Sequence, residues 1–125
     1  SVLHCIENSE GDTLLHLIVK KGYLNLCQQL PPLMPQQAIN RQNKEGRTPL
    51  WYAVENNHME LVKWLITQKA DVNVQDYRGN SVLHLSSRGT NYKMVETLLD
   101  AGSDVECENT DGLTPIGLGF SGFGL

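Results

Sequence analysis

The sequence has few cysteines, no long apolar run and no basic opening segment, and each absence excludes a class of protein. Its 125 residues include Cys5, Cys27 and Cys107, of which no two are close in sequence. An odd number at scattered positions argues against a disulfide framework and a zinc knuckle, so we expect three free thiols and a reduced, intracellular compartment. No run approaches the roughly 20 apolar residues that span a bilayer. Residues 1–5 lack the basic start of a secretory signal.

The charge and composition describe an ordinary folded domain. A net charge of −4 gives no attraction to nucleic acid or to an acidic membrane surface. Apolar residues make up 40% of the chain and charged residues 19%, which is not the composition of a disordered segment. The length predicts one domain. Because the first residue is Ser1 and not Met, we expect this chain to be a piece of a longer protein.

A glycine followed two places later by a hydroxyl residue recurs four times. The repeated words are Gly11-Asp-Thr13, Gly46-Arg-Thr48, Gly79-Asn-Ser81 and Gly112-Leu-Thr114. Successive glycines are separated by 35, 33 and 33 residues. A period near 33 is that of ankyrin repeats, and the sequence from about Asn8 to the C-terminus resembles this family.

This resemblance implies one domain, residues 1–125, folded as an all-α solenoid of stacked helix-turn-helix units with short β-hairpin finger turns. The implied units are repeat 1 at 8–42 with two extra residues, repeat 2 at 43–75, repeat 3 at 76–108 and a truncated repeat 4 at 109–125. Residues 1–7 are either an N-terminal cap or the end of an earlier repeat. Neither alternative is excluded by the sequence.

The local chemistry of each repeat predicts a pair of helices. The hydroxyl residue can cap a helix start, and Pro49 and Pro115 then occupy the first helical position, where a missing N–H costs nothing. A first helix of about nine residues should follow each cap. A second helix is indicated by apolar residues at helical spacing, namely Leu61, Val62, Leu65 and Ile66 in repeat 2 and Met94, Val95, Leu98 and Leu99 in repeat 3. Gly102 is placed to end its helix in a left-handed conformation.

Two segments depart from the repeat. The surplus of repeat 1 falls in residues 30–37, where Pro31, Pro32 and Pro35 must stop or displace the second helix, so we expect 31–37 to bulge outward. Residues 117–122 have the Gly-x-Gly-x-x-Gly spacing of a dinucleotide-binding loop. They overlap the repeat motif and lack the preceding strand that such a loop requires, so we interpret them as a glycine-rich, truncated repeat.

The histidines and cysteines do not form a recognisable metal or catalytic motif. His16 and His84 share one repeat position, which Trp51 occupies in repeat 2. The resemblance implies that this histidine forms hydrogen bonds within and between repeats. The sequence has no His-x-x-x-His or Cys-x-x-Cys pair, so we expect no metal, no cofactor and no enzymatic activity. A cysteine and a histidine that meet only in the fold remain an open alternative.

The resemblance places partner binding on a concave face built from finger tips and inner helices. The finger positions are Ser9, Glu10, Asp12, Lys44, Glu45, Arg47, Tyr77, Arg78, Asn80, Thr110, Asp111 and Leu113; the inner-helix ends are Lys20, Lys21, Glu55, Asn56, Arg88 and Gly89. Binding hot spots are rich in Trp, Tyr and Arg. We therefore predict partner contacts at Arg47, Trp51, Tyr77, Arg78 and Arg88, with Lys44, Glu45, Glu55, Asn56 and Asn80. The alternatives are solvated polar tips and, for Trp51 and Trp64, a packing role.

The function implied is that of a protein-interaction module presenting a preformed surface to a protein or peptide, within a larger signalling, scaffolding or regulatory protein. Neither nucleic acid nor membrane insertion is expected. The alternative is a structural spacer or clamp that packs against another domain of its own full-length chain. We expect an intracellular, cytoplasmic location, with the nucleus left open.

Overall fold

A computed structural model describes residues 8–29, 36–87 and 91–115. The helices within these ranges are α1 (Leu14–Lys21), α2 (Leu24–Gln28), α3 (Gln36–Ile39), α4 (Pro49–Glu55), α5 (Met59–Thr67), α6 (Val82–Ser87) and α7 (Tyr92–Asp100). In the same ranges, the only residue in a β-type pairing is Thr13, which forms an isolated β-bridge. The predicted all-α class is therefore confirmed.

The inner helices α1 and α4 begin at the predicted caps. The Thr13 and Thr48 side chains accept hydrogen bonds from backbone N–H groups three residues on, and Pro49 takes the first helical position. The two helices are eight and seven residues long, slightly shorter than predicted. They end early because the backbone turns left-handed at Gly22, with φ 74°, and at Asn57, with φ 57°. Such a residue cannot continue a right-handed helix.

The outer helices α5 and α7 have nine residues each and bury one face. Their starts are capped by His58, whose Nδ1 accepts from Leu61 N–H at 3.4 Å, and by Asn91, whose side chain accepts from Met94 N–H at 3.2 Å. His58 is not recognisable as a cap from the sequence, because histidine is a less common residue there than Ser, Thr, Asp or Asn.

The helix pairs stack through one continuous core. Helix α1 packs against α4 and α4 against α6, while α2, α5 and α7 each pack on the inner helix of their own repeat. Leu15, Leu50 and Leu83 occupy one repeat position and are all buried. Because each unit is too small to enclose its own apolar face, the repeats stabilise one another.

Repeat 1 differs from repeat 2 in its second helix. Helix α2 has only five residues and ends at Gln28, and the short helix α3 precedes the next finger. Residues 31–35 of the predicted bulge at 31–37 lie outside the described residues, so the bulge stays a prediction. The glycine-rich segment 116–125 lies outside them as well.

The two described cysteines are free thiols. Cys27 is fully buried in the core, and burial raises the pKa of its thiol to about 11. Cys107 is partly exposed. Cys5 lies outside the described residues, so the expectation of three free thiols stays a prediction.

Replacing Lys69 by Gly is expected to stabilise the protein by about 0.5–1 kcal/mol. Lys69 has φ 70° at the repeat position that Gly102, with φ 98°, occupies one repeat later. Left-handed geometry costs a non-glycine residue about 1–2 kcal/mol, and the backbone entropy of the new glycine removes part of that gain. Urea unfolding measures the change. The control Lys63→Gly, inside α5, should instead cost about 1 kcal/mol. Equal destabilisation by both changes would contradict the interpretation.

Candidate functional site

Each finger is closed by an asparagine or aspartate. The side chains of Asn8, Asn43, Asp76 and Asn109 each accept two backbone hydrogen bonds, from the residues two and four places on, at 2.9–3.0 Å. These bonds fix the turn backbone before any partner arrives. The signal for this feature is present in the sequence but was not predicted above: an Asn or Asp lies three residues before every repeat glycine.

Successive fingers are joined by backbone hydrogen bonds. Lys44 N–H donates to the Glu10 carbonyl at 3.0 Å, and Tyr77 N–H donates to the Glu45 carbonyl at 3.1 Å. Thr110 N–H continues the series to the Arg78 carbonyl at 2.9 Å. The backbones of neighbouring fingers therefore have fixed relative positions.

The repeated histidines join each inner helix to the next finger. The Nδ1 atom of His16 accepts from Thr13 N–H at 3.1 Å, and its Nε2 donates to the Arg47 carbonyl at 2.8 Å. His84 makes the equivalent bonds to Ser81 and to the Leu113 carbonyl, at 3.1 and 2.8 Å. The role implied by the resemblance is confirmed for both residues.

The free energy of unfolding is expected to fall as the pH drops below about 6.5, the ordinary pKa of histidine. Burial lowers the pKa of His16, against the raising effect of its bond to the Arg47 carbonyl. Protonation would also place a proton on Nδ1, which accepts from Thr13 N–H. The stabilisation that neutral His16 provides is therefore complete above the pKa that this histidine has in the unfolded chain, and it is lost as the pH falls below that pKa.

Urea unfolding between pH 7.5 and 5 measures this loss in the wild type and in His16→Gln. The variant should be less stable at pH 7.5 but should lose less stability on acidification. An unchanged pH dependence in the variant would assign the effect to other groups.

Five of the predicted contacts meet at one cleft between the second and third fingers. Its volume is about 220 Å³, and we call it the finger cleft. It is lined by Lys44, Glu45, Arg47, Asp76, Tyr77 and Arg78. Lys44, Glu45, Tyr77 and Arg78 are exposed there. Five of the predicted contacts on fingers 2 and 3 therefore belong to one surface, and Asn80 is the exception.

Trp51 packs inside the protein next to Arg47 of the finger cleft and is not part of the exposed surface of that cleft. The side chain is only 6% exposed and packs edge-on against Tyr52. The Arg47 guanidinium lies over the Trp51 ring at 4.0 Å and pairs with Glu45 at 2.9 Å. The prediction of Trp51 as a partner contact is corrected to a packing role, because repeat stacking buries the ring. Arg47 is likewise held internally. Trp64 is partly buried and packs against the core, which favours its packing role too.

Asp12, one of the predicted finger positions, is buried. It pairs with Lys20 at 2.6 Å and accepts a hydrogen bond from the Asn43 amide at 2.8 Å. Burial acts to raise the pKa of Asp12, but these hydrogen bonds outweigh it and hold the pKa below its ordinary value. The Lys20 ammonium also lies 4.5 Å from the centre of the Tyr52 ring. Asp12 and Lys20 therefore join repeats 1 and 2 and are not available for a partner.

The remaining predicted contacts lie away from the finger cleft. Glu55 is exposed and lines a separate cavity of about 340 Å³ with Val54, Asn57, Leu85, Ser86, Asn91 and Met94. Asn56 donates to the Lys20 carbonyl at 3.4 Å. Asn80 accepts from the Asn109 amide at 3.0 Å, so it joins two fingers. Arg88 lies outside the described residues, and no contact is assigned to it.

Two further features of the described ranges bear on function. None of their helices is long and apolar enough to cross a bilayer. Within the same ranges, no three His, Cys, Asp or Glu side chains gather where they could hold a metal ion.

Stacked helix pairs joined by hydrogen-bonded fingers define a repeat solenoid, a class in which each unit contacts only its neighbours. The family described as ankyrin repeats (3 copies) matches residues 15–109. The chain belongs to this family, whose repeats are non-catalytic modules that bind other proteins.

Several relatives share most of this chain. It is 36% identical over 114 residues to the B-cell lymphoma 3 protein homolog of Mus musculus, covering 89% of this chain and 25% of the relative. It is 33% identical over 121 residues to the nuclear factor NF-kappa-B p105 subunit of Gallus gallus, covering 91% and 12%. The NF-kappa-B inhibitor delta of Mus musculus is 29% identical over 113 residues, covering 88% and 35%. The chain therefore spans between about a tenth and a third of the length of these relatives.

Proposed function

We propose that this chain captures a segment of another protein on its finger and inner-helix face, at repeats 2 and 3. The finger cleft is the observation that carries the proposal. There Lys44, Tyr77 and Arg78 are exposed on turns whose backbones are already hydrogen-bonded to one another. A surface ordered in advance loses little conformational entropy on association, which favours binding.

We propose further that the chain serves a larger regulatory protein inside the cell, in the cytoplasm or the nucleus. Two of the relatives above carry NF-kappa-B in their names, which supports a role in signalling of that kind. This chain would bind the partner, and the rest of the full-length protein would produce the regulatory effect.

An affinity pull-down from cell lysate tests the binding face. The wild-type chain is compared with Lys44→Glu/Arg78→Glu, which reverses two charges of the finger cleft. The matched control is Lys63→Glu/Lys93→Glu, which reverses two exposed charges on the outer helices α5 and α7. Proteins captured by the wild type and by the control, but not by the cleft variant, would support the proposal. Capture that is lost only with the outer-helix variant would refute it.

A second candidate, an intramolecular clamp, is favoured by the exposed end of repeat 1. Leu14 and Leu17 on α1 are 39% and 37% exposed. Their counterparts in repeat 2, Pro49 and Tyr52, are buried in the stack. Under this alternative, another domain of the full-length chain covers this apolar end.

The clamp alternative predicts that the isolated chain self-associates through these leucines. Light scattering should then show association that the double change Leu14→Gln/Leu17→Gln removes. A monomeric wild-type chain at high concentration would argue against the clamp.

A further inference from the structure

The acidic groups of the finger cleft are bonded within the protein, whereas two of its basic groups form no ion pair there. Its two carboxylates are engaged: Glu45 pairs with Arg47 at 2.9 Å, and Asp76 accepts from the backbone N–H groups of Arg78 and Asn80 at 3.0 and 2.9 Å. The Lys44 ammonium and the Arg78 guanidinium have no ion-pair partner among the described residues. The cleft therefore offers two unpaired cations in a chain whose net charge is −4.

An aromatic ring lies in the same cleft and is already held in place. Tyr77 is 67% exposed, yet a methyl group built on Gly46 would come within 2.6 Å of its Cδ1 atom, so the ring lies against that glycine. Contact with the preceding finger restricts the ring before binding. A fixed, exposed tyrosine provides apolar contact area at a low entropic cost.

We infer that the finger cleft receives an aspartate or glutamate side chain from a flexible segment of a partner protein, held between Lys44 and Arg78, with a neighbouring apolar side chain on the Tyr77 ring. This inference rests on the proposed function and names the chemistry of its partner. Arginine can bind a carboxylate through two parallel hydrogen bonds, and lysine adds a point charge. A basic segment would meet two unpaired cations, and like charges placed together oppose binding.

The test selects peptides from a random 12-residue display library against the wild-type chain. Enriched peptides are expected to share an Asp or Glu beside an aromatic or aliphatic residue. One enriched peptide is then synthesised, and its affinity is measured for Arg78→Glu and Lys44→Glu, which should bind about tenfold or more weakly, as expected for a charged hydrogen bond. Lys63→Glu and Lys93→Glu are the controls and should bind within about twofold of the wild type, because surface charges beyond a Debye length are screened.

A charge exchange gives the decisive readout. A peptide whose acidic residue is changed to Lys should bind the wild type more weakly than the original peptide does. The same changed peptide should bind Lys44→Glu/Arg78→Glu more tightly than the original peptide does. Enriched peptides that are basic or uncharged, or acidic peptides that bind the cleft variants as well as the wild type, would overturn the inference, whereas the proposed function is tested separately by the pull-down. A library that yields no binder to the wild type would count against the proposed function itself.

Discussion

Replacing Gly79 by Ala is expected to reduce the free energy of unfolding by about 3 kcal/mol. Gly79 has φ 79°, which costs an alanine about 1–2 kcal/mol. The added methyl group would also lie 2.8 Å from the Cα of Asn109 and from the N of Thr110. Both are backbone atoms of the next finger, so the fingers must separate, and overpacking of this kind costs about 1–3 kcal/mol.

Gly112 provides a matched control for this prediction. Its φ is 75°, so alanine there meets the same backbone strain, but no described atom lies within 4 Å of the added methyl group. Gly112→Ala should therefore cost only the strain of about 1–2 kcal/mol. Urea unfolding of the two variants measures the difference. Equal costs at both positions would show that contact between fingers contributes little to stability.

Replacing Tyr77 and Arg78 together by Ala is expected to weaken partner binding by about 2 kcal/mol or more, roughly 30-fold in Kd. Both side chains are exposed in the finger cleft. Stability should change by no more than about 0.5 kcal/mol, because exposed residues outside the core contribute little to it. Calorimetric titration with the partner recovered by pull-down measures affinity, and thermal unfolding measures stability.

The outer helices supply the contrasting variants for this prediction. Glu60→Lys on α5 and Glu96→Lys on α7 change exposed residues on the opposite side of the helix pairs. They should leave the affinity close to that of the wild type. If they abolish binding while the Tyr77 and Arg78 double variant binds normally, the interface lies on the outer-helix face and the assignment is wrong.

The fold could be predicted from the sequence because its determinants are local and repeated. Thr13 and Thr48 cap inner helices in the structure as their positions predict, and the proline-rich segment follows an outer helix of only five residues. Each signal acts within a few residues along the chain. The period then fixes which signals occupy equivalent positions.

The candidate site was only partly predictable. Lys44, Glu45, Tyr77 and Arg78 are exposed in one cleft, as residues at finger positions should be. The repeat positions of Trp51 and Asp12 predict the same face for them, but both are buried. Trp51 replaces a histidine that bridges repeats elsewhere, and one repeat by itself does not show what covers it.

What the sequence alone determined is the repeat: its period, the starts of its inner helices α1 and α4, and the family to which it belongs. Only the tertiary structure decided which side chains at the finger positions remain available. Glu45 engages Arg47, and Asp12 engages Lys20 and, across repeats, Asn43. The Asp12 to Asn43 bond crosses to the neighbouring repeat, whose residues lie about 33 positions away in the sequence, and a pattern within one repeat does not show what covers or bonds a side chain.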